Sequence, residues 1–268
     1  MCQSNPFKLG RLFILLFCFA SNVFAGNSVK TFQNQNYGYI ENKGQLINQD
    51  YEANSQVLYF LSAKGVNVHL KQNGFSLEMV QQVDSSNVKF HRIDAVFEGA
   101  NTNCVLEPSQ KASGYINYYL NYTKEQGVPA GKGQTHVAHY GKITYKDIYP
   151  GIDIEFMLDP KVEGVGYKYN VVVNPGASLS QVRLKVLGAQ DLKLNDKGNL
   201  VYSTSLGNIE ESIPYSYIQT KEGSKQEAKV LYDLHSKESF GFSSNTNTNE
   251  NKLVIDPIGW ATYFWGGR

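Results

Sequence analysis

Two carboxylates, Asp153 and Glu155, stand two residues apart in the run IDIEF at 152–156. On a β-strand such a pair faces one side, and paired acids are what glycoside hydrolysis requires. Same-face neighbours lie ~7 Å apart on any strand, however, so a solvated polar face explains the spacing without chemistry. Alternation with Ile152, Ile154 and Phe156 commits the apolar side chains to a core and leaves both acids facing water. Neither acid is then driven to stay protonated, as a glycosidase would need. Asp153 and Glu155 are thus candidates for ligand contact, not for catalysis. Tyr118, Tyr119 and Tyr145 join them, drawn from tyrosines dense at 115–122, 140–149, 167–169 and 215–217. An exposed tyrosine can stack on a sugar or fill an interface, whereas a core-edge tyrosine satisfies its hydroxyl with a hydrogen bond.

The other reactive side chains point to less. His136 and His139 form the one close histidine pair. Their odd spacing sends them to opposite faces of a strand, and no HExxH pattern accompanies them, so a surface or packed pair is favoured over a metal site. Asn195-Asp196-Lys197-Gly198-Asn199 has the look of a calcium loop but lacks the terminal bidentate Glu, and Lys197 adds a repelling charge. It reads as a hairpin turn. G-x-S-x-G, P-loop and Cys-x-x-Cys signatures are absent from the sequence. No catalytic residue, metal or cofactor is expected.

The elements that position these residues are short strands. From Tyr140 to Pro175, period-two alternation rich in β-branched and aromatic residues predicts a β-meander. Tyr149-Pro150-Gly151 supplies its first turn, because Pro presets φ and Gly accepts positive φ. Upstream, strands are predicted at 57–61, 66–70, 75–80 and 88–97, with Asn73-Gly74 as a type I′ hairpin turn. Residues 104–139 read as a less regular section with a Gly-rich loop at 126–134. Downstream, strands are predicted at 182–187, 192–194, 200–202, 209–212, 215–219, 228–234, 240–242 and 253–255. Many short strands without a helical period favour sandwiches over βαβ units.

The chain of 268 residues opens with Lys8 and Arg11, an apolar run at 12–20 and Val23-Phe24-Ala25. That is the pattern of a secretory signal peptide cut after Ala25. The run is too short to span ~30 Å of hydrocarbon, and bulky Phe17 before Cys18 disfavours a lipid anchor. Of the 25 basic residues two fall in the leader, so the mature chain sets 23 against 24 acids. Such a balance argues against nucleic acid, which needs a basic face. Cleavage also removes Cys2 and Cys18, leaving Cys104 without a disulfide partner and best read as a small buried apolar residue.

A series of phrases in order carries a resemblance: IENKGQ (40–45), FEGAN (97–101), INYYLN (116–121), YGKITYKDIYPGIDIEF (140–156) and YKYNVVVNPGA (167–177). LGAQDLKLNDKGNLV (187–201), IPYSYIQ (213–219) and LVIDP (253–257) complete it. Over residues 38–257 the chain resembles an uncharacterised N-terminal β domain of large secreted bacterial surface proteins. In that family the domain precedes SBBP-type β-propeller repeats, often with gliding-motility-type or type IX secretion sorting domains. The phrase ATYFWGG at 261–267 resembles the opening strand of the first repeat. The resemblance brings no catalytic residues. It implies partners in the form of a propeller and a sorting domain of a longer parent protein, and a surface glycan or protein beyond it.

The expected organisation is all-β, with two antiparallel β-sandwich-like subdomains or, alternatively, one large elongated β-sandwich. The boundaries are a signal peptide at 1–25, a disordered lead-in at 26–37, a subdomain at 38–110, an aromatic and Gly-rich connector at 111–136, a second subdomain at 137–257 and a truncated repeat from 258 to 268. The expected function is that of a non-catalytic module, secreted or on the cell surface, with a structural, adhesive or scaffolding role. The alternative is a glycan-binding or carbohydrate-active domain.

Overall fold

The computed structural model describes residues 38–48, 52–63, 66–85, 87–119, 133–159, 166–212, 215–256 and 259–262. The predicted leader and lead-in lie outside the described residues. In chain order the first strands are β1 (Tyr39–Glu41), β2 (Val57–Ala63), β3 (Val66–Lys71), β4 (Gly74–Gln82), β5 (Val88–Phe97), β6 (Val105–Lys111) and β7 (Ile116–Tyr118). Then come β8 (Gln134–Val137), β9 (His139–Tyr149), β10 (Ile152–Asp159), β11 (Gly166–Val173), β12 (Arg183–Leu187), β13 (Asp191–Leu194) and β14 (Leu200–Thr204). The last are β15 (Gly207–Glu211), β16 (Tyr215–Gln219), β17 (Lys225–Ala228), β18 (Val230–Ser236), β19 (Ser239–Ser244), β20 (Lys252–Asp256) and β21 (Gly259–Thr262). The all-β class is as expected.

The predicted meander is the middle of the principal sheet. Pro150 and Gly151 form the two-residue turn between β9 and β10, and Gly151 adopts φ +73°. Proline followed by positive φ is the type II arrangement. Outward from β10 run β11, β20, β16 and β17. From β9 the path continues through β1, β2, β3, β4, β5, β12, β19 and β18, with β6 on the remaining edge of β9. The two halves of this sheet fold over one another. Phe75 of β4 meets Phe156 of β10 at 5.0 Å between ring centroids, and Phe97 of β5 meets Tyr145 of β9 at 5.4 Å. The path ends at β17 and β18, which are separated in sequence by Lys229 alone. Ala228 and Val230 on either side of it are both buried, so the chain steps from one terminal strand of the sheet to the other there.

One hydrophobic core therefore unites residues on both sides of the predicted boundary, from Tyr39 through Phe97 to Ile255. Of the two arrangements expected, the single sandwich describes it, and the division into 38–110 and 137–257 does not separate two cores. The physical reason is strand pairing across the boundary, β1 with β9 and β5 with β12. A four-stranded sheet, β13-β14-β15-β21, adds Leu192, Leu200, Tyr202 and Ile209 to the same core. Residues 259–262, expected to open a repeat, thus pair with β15.

Three local expectations need correction. The section read as irregular holds β6, whose alternation was hidden because it is exposed along most of its length. The predicted strand at 228–234 is two strands, β17 and β18, for the reason just given. The β3–β4 turn is Gln72-Asn73, since Lys71 pairs with Gly74, and neither turn residue has positive φ. Gly74 is needed for another reason: a Cβ there would stand 2.2 Å from the Ala95 carbonyl oxygen.

Candidate functional site

The predicted acids sit on the outer face of β10, beside an irregularity in β9. Ile143 and Tyr145 point inward in strict alternation, and then Ile148 and Tyr149 are both buried. Asp147 makes that phase change possible by taking φ +46°, and the β9–β10 register shifts between Ile152 and Ile154. Such a bulge leaves a backbone N–H without its ladder partner. Asp153 supplies the acceptor: the Asp147 N–H donates to its Oδ1 at 2.8 Å, while Lys146 Nζ donates to Oδ2 at 2.6 Å. Asp153 is consequently 7% exposed, which corrects the expectation that it faces water. The hydrogen bond to Asp153 raises the Lys146 ammonium pKa. Glu155, half-buried, accepts from Lys142 Nζ at 2.8 Å. Each acid therefore has its own lysine.

The three tyrosine candidates lie elsewhere. Tyr145 is fully buried, and its hydroxyl is shared between the Lys71 and Gly74 carbonyls at 2.8 and 3.0 Å, fastening β9 to the β3–β4 turn. It cannot meet a ligand, a correction that follows from its inward register. Tyr118 is half-buried against a smaller apolar cluster of Ile40, Val57, Phe60 and Val137. Tyr119 is 76% exposed at the end of β7. No single site gathers all five candidates.

The remaining reactive residues are structural. His136 has φ +54°, its N–H donates to Asn117 Oδ1, and its ring packs on Tyr115 at 4.4 Å. His139 is buried on the neighbouring strand, and burial lowers its pKa. Cys104 is buried, with its Sγ 3.6 Å from the Gln72 carbonyl, and burial pushes the thiol pKa up. Asn195 Oδ1 accepts the N–H groups of Lys197 and Asn199, so the 195–199 segment is the hairpin turn between β13 and β14.

Sequence reasoning missed a different carboxylate. Glu211, at the end of β15, is completely buried. Tyr169 of β11 donates to its Oε2 at 2.9 Å, Tyr202 of β14 to its Oε1 at 3.1 Å, and Tyr232 of β18 approaches Oε2 at 3.4 Å. Tyr232 also reaches the Ser212 carbonyl at 3.2 Å, so its proton is shared. Burial pushes the Glu211 pKa up to about 7 against the lowering effect of the three hydroxyls. Burial likewise raises Tyr169, Tyr202, Tyr232 and nearby Tyr167 far above the usual phenol range, so all four are neutral, and the first three are the donors. Buried carboxylates are ordinarily matched by cations. This one is held by hydroxyls from three strands.

Chemically, the outer acids are each paired with a lysine and Asp153 also organises the bulge, whereas Glu211 is a titratable group sealed in the core. No curated protein and no solved structure matches the chain. The family model described as Domain of unknown function (DUF7948) matches residues 39–258, and the chain belongs to that family.

Proposed function

We propose that this chain is a non-catalytic extracellular β module, with a structural, adhesive or scaffolding role in a cell-surface or secreted protein. The observation that carries the reading is the state of Asp153 and Glu155. They are the acids spaced for acid–base work, yet Asp153 closes a backbone bulge and each is bound to its own lysine. A glycosidase needs one of its two carboxyls held protonated by an apolar or like-charged setting. Here each acid is instead tied to a lysine, and Asp153 also to a backbone N–H, which supports a structural use of both. Export rests on the leader pattern of residues 1–25, and the partner domains, a propeller and a sorting domain, rest on the resemblance of residues 38–257.

Purified protein incubated with a panel of chromogenic glycosides tests the first part. The expected result is no turnover. Turnover abolished by both Asp153→Asn and Glu155→Gln, with folding intact, overturns the reading. Mass spectrometry of the exported protein tests the second part: the expected N-terminus is Gly26, and a chain retaining Lys8 and Arg11 removes the basis for an extracellular role.

A further inference from the structure

The outer face of β16 carries an arrangement that neither the fold nor the bulge at Asp153 requires. Ser216 and Ile218 are the inward residues of this strand, 1% and 8% exposed, so Tyr215, Tyr217 and Gln219 share the opposite face. The Tyr215 and Tyr217 rings have centroids 6.0 Å apart with planes inclined by 39°, and Tyr215 is 57% exposed. Lys225, on the neighbouring strand opposite Gln219, places its ammonium 4.1 Å from the centre of the Tyr217 ring. Such a cation–π contact holds the ring in place and covers one of its faces with the ammonium, so Tyr217 steadies the patch while Tyr215 presents the open ring. Beyond Gln219 the strand runs into a hollow of about 260 Å³ lined by Gln219, Thr220, Lys221, Glu250, Asn251 and Lys252.

We infer that this face is a carbohydrate-binding site for a neutral pyranose oligosaccharide. Tyr215 would stack on the C–H face of a sugar ring with Tyr217 and the Lys225 ammonium flanking it, and the hollow would take a further sugar residue through its hydroxyls. An aromatic ring offers a large apolar face at little conformational cost, and sugars present one C–H-rich face and a polar rim. The hollow's wall is largely apolar, Pro175 included, and the polar groups set in it match that rim: an amide from Gln219 and another from Asn251, a hydroxyl from Thr220, and charged donors and acceptors from Lys221, Lys252 and Glu250. From Tyr215 to Gln219 the strand spans ~13 Å, so a ligand that reaches both is an oligosaccharide rather than a single sugar. The hollow is smaller than the ~300–1,000 Å³ of sites that engulf whole ligands, so the binding is that of an open platform. Charge selects the neutral class. Lys221, Lys225 and Lys252 are set against Glu222, Glu227 and Glu250 on or beside this face, while Asp256 is held by Lys168 at 2.8 Å. A protein partner is disfavoured because the two rings stand among charged and amide groups, and Val254 between the strands is already buried.

The inference rests on the non-catalytic surface-module reading and gives its adhesive role a ligand. The test is affinity electrophoresis of the full chain in native gels containing xyloglucan, galactomannan or glycogen, with polygalacturonate as an acidic arm. Retardation by at least one neutral polysaccharide is expected. Tyr215→Ala should weaken it about tenfold. Tyr215→Phe should retain it, and Tyr119→Ala, at an exposed tyrosine elsewhere, should leave it unchanged. Retardation by none of the neutral polymers, retardation by polygalacturonate alone that salt erases, or retardation undiminished in folded Tyr215→Ala would each overturn the site. A folded chain that neither binds nor hydrolyses glycans sinks this site alone, whereas turnover sinks the module reading itself.

Discussion

Asp153 and Glu211 are both buried carboxylates, 7% and 0% exposed, and the chain satisfies them in opposite ways. Asp153 sits on the outer face with a backbone N–H and a lysine ammonium as donors. Glu211 sits between the small sheet and the principal one, with neutral hydroxyls from β11, β14 and β18. The first arrangement serves a local need, since the bulge at Asp147 frees one N–H that must be accepted. The second serves a global one. Its donors come from residues 42, 9 and 21 positions away in sequence, so the carboxylate makes its contacts only when three strands are in their final register. A buried acid can thus act as a stitch within one hairpin or as a pin through a core.

That contrast predicts unequal costs of removal. Glu211→Ala leaves buried hydroxyls without their acceptor and opens a cavity, and should destabilise the fold by roughly 3–5 kcal/mol in urea unfolding. It should also lower cooperativity by uncoupling the small sheet. A loss below about 1 kcal/mol would mean that the tyrosines find other acceptors and that the pin is dispensable.

The pH dependence sharpens the same contrast. Burial raises the Glu211 pKa from its usual 4.5 to about 7 in the fold. Between those values the folded state holds a proton that the unfolded state has released, so the contribution is fully present below pH 4.5 and is lost as pH rises through 7. The loss amounts to about 3 kcal/mol. Two histidines work the other way: burial lowers the pKa of His69 and of His139, so their contribution is lost as pH falls below 6.5. Asp94 adds a separate acid limb. Burial pushes its pKa up, but hydrogen bonds from Arg92, Lys71 and Ser76 outweigh that and hold it at about 2, so its contribution disappears between pH 3.8 and 2. Comparing wild type with Glu211→Gln isolates the core acid from these. The difference in stability between the two proteins should change by about 3 kcal/mol from pH 4.5 to 7 and be flat beyond. A constant difference would show that the fold leaves the Glu211 pKa at its ordinary value.

Much of this fold was legible, and the reasons it was not legible everywhere are specific. The β9–β10–β11 meander could be read because Ile152, Ile154 and Phe156, then Tyr167, Tyr169, Val171 and Val173, keep one phase and are all buried. The single core could not, because pairing of β1 with β9 and β5 with β12 joins residues that no local pattern connects. Asp153 was placed on the correct face, but its burial depends on a bulge created by Asp147, a residue whose sequence neighbours do not announce positive φ. Glu211 did leave a signal. Ile209 points inward on β15, and two residues later Glu211 occupies the same phase, an acid where an apolar residue belongs. Tyr145 shows the converse error: its inward phase with Ile143 marked it as core, while tyrosine density marked it as a contact residue.

Asp153→Ala should have the next largest effect. It leaves the Asp147 N–H without its acceptor and releases Lys146, at a cost of about 1–3 kcal/mol. Asp153→Asn retains an oxygen for the N–H and should recover most of the stability, measured by thermal unfolding of both variants. Equal losses in the two would assign the stabilisation to the lysine and remove the bulge from the account.

Glu155 and Lys142 complete the series at the weak end. Their side chains are 22% and 26% exposed, they meet at 2.8 Å, and no backbone group depends on either. A pair of this kind gains modest Coulomb energy in a high-dielectric setting and loses side-chain freedom in return. A double-mutant cycle with Glu155→Gln and Lys142→Met should therefore give a coupling of about 0.5 kcal/mol. At 1 M salt, where the screening length is ~3 Å, that coupling should shrink towards zero. The Glu211→Ala loss should hardly change over the same salt range, because its partners carry no charge for ions to screen. A Glu155–Lys142 coupling above 2 kcal/mol, or one indifferent to salt, would place this pair with the core acid and collapse the distinction between stitch and pin.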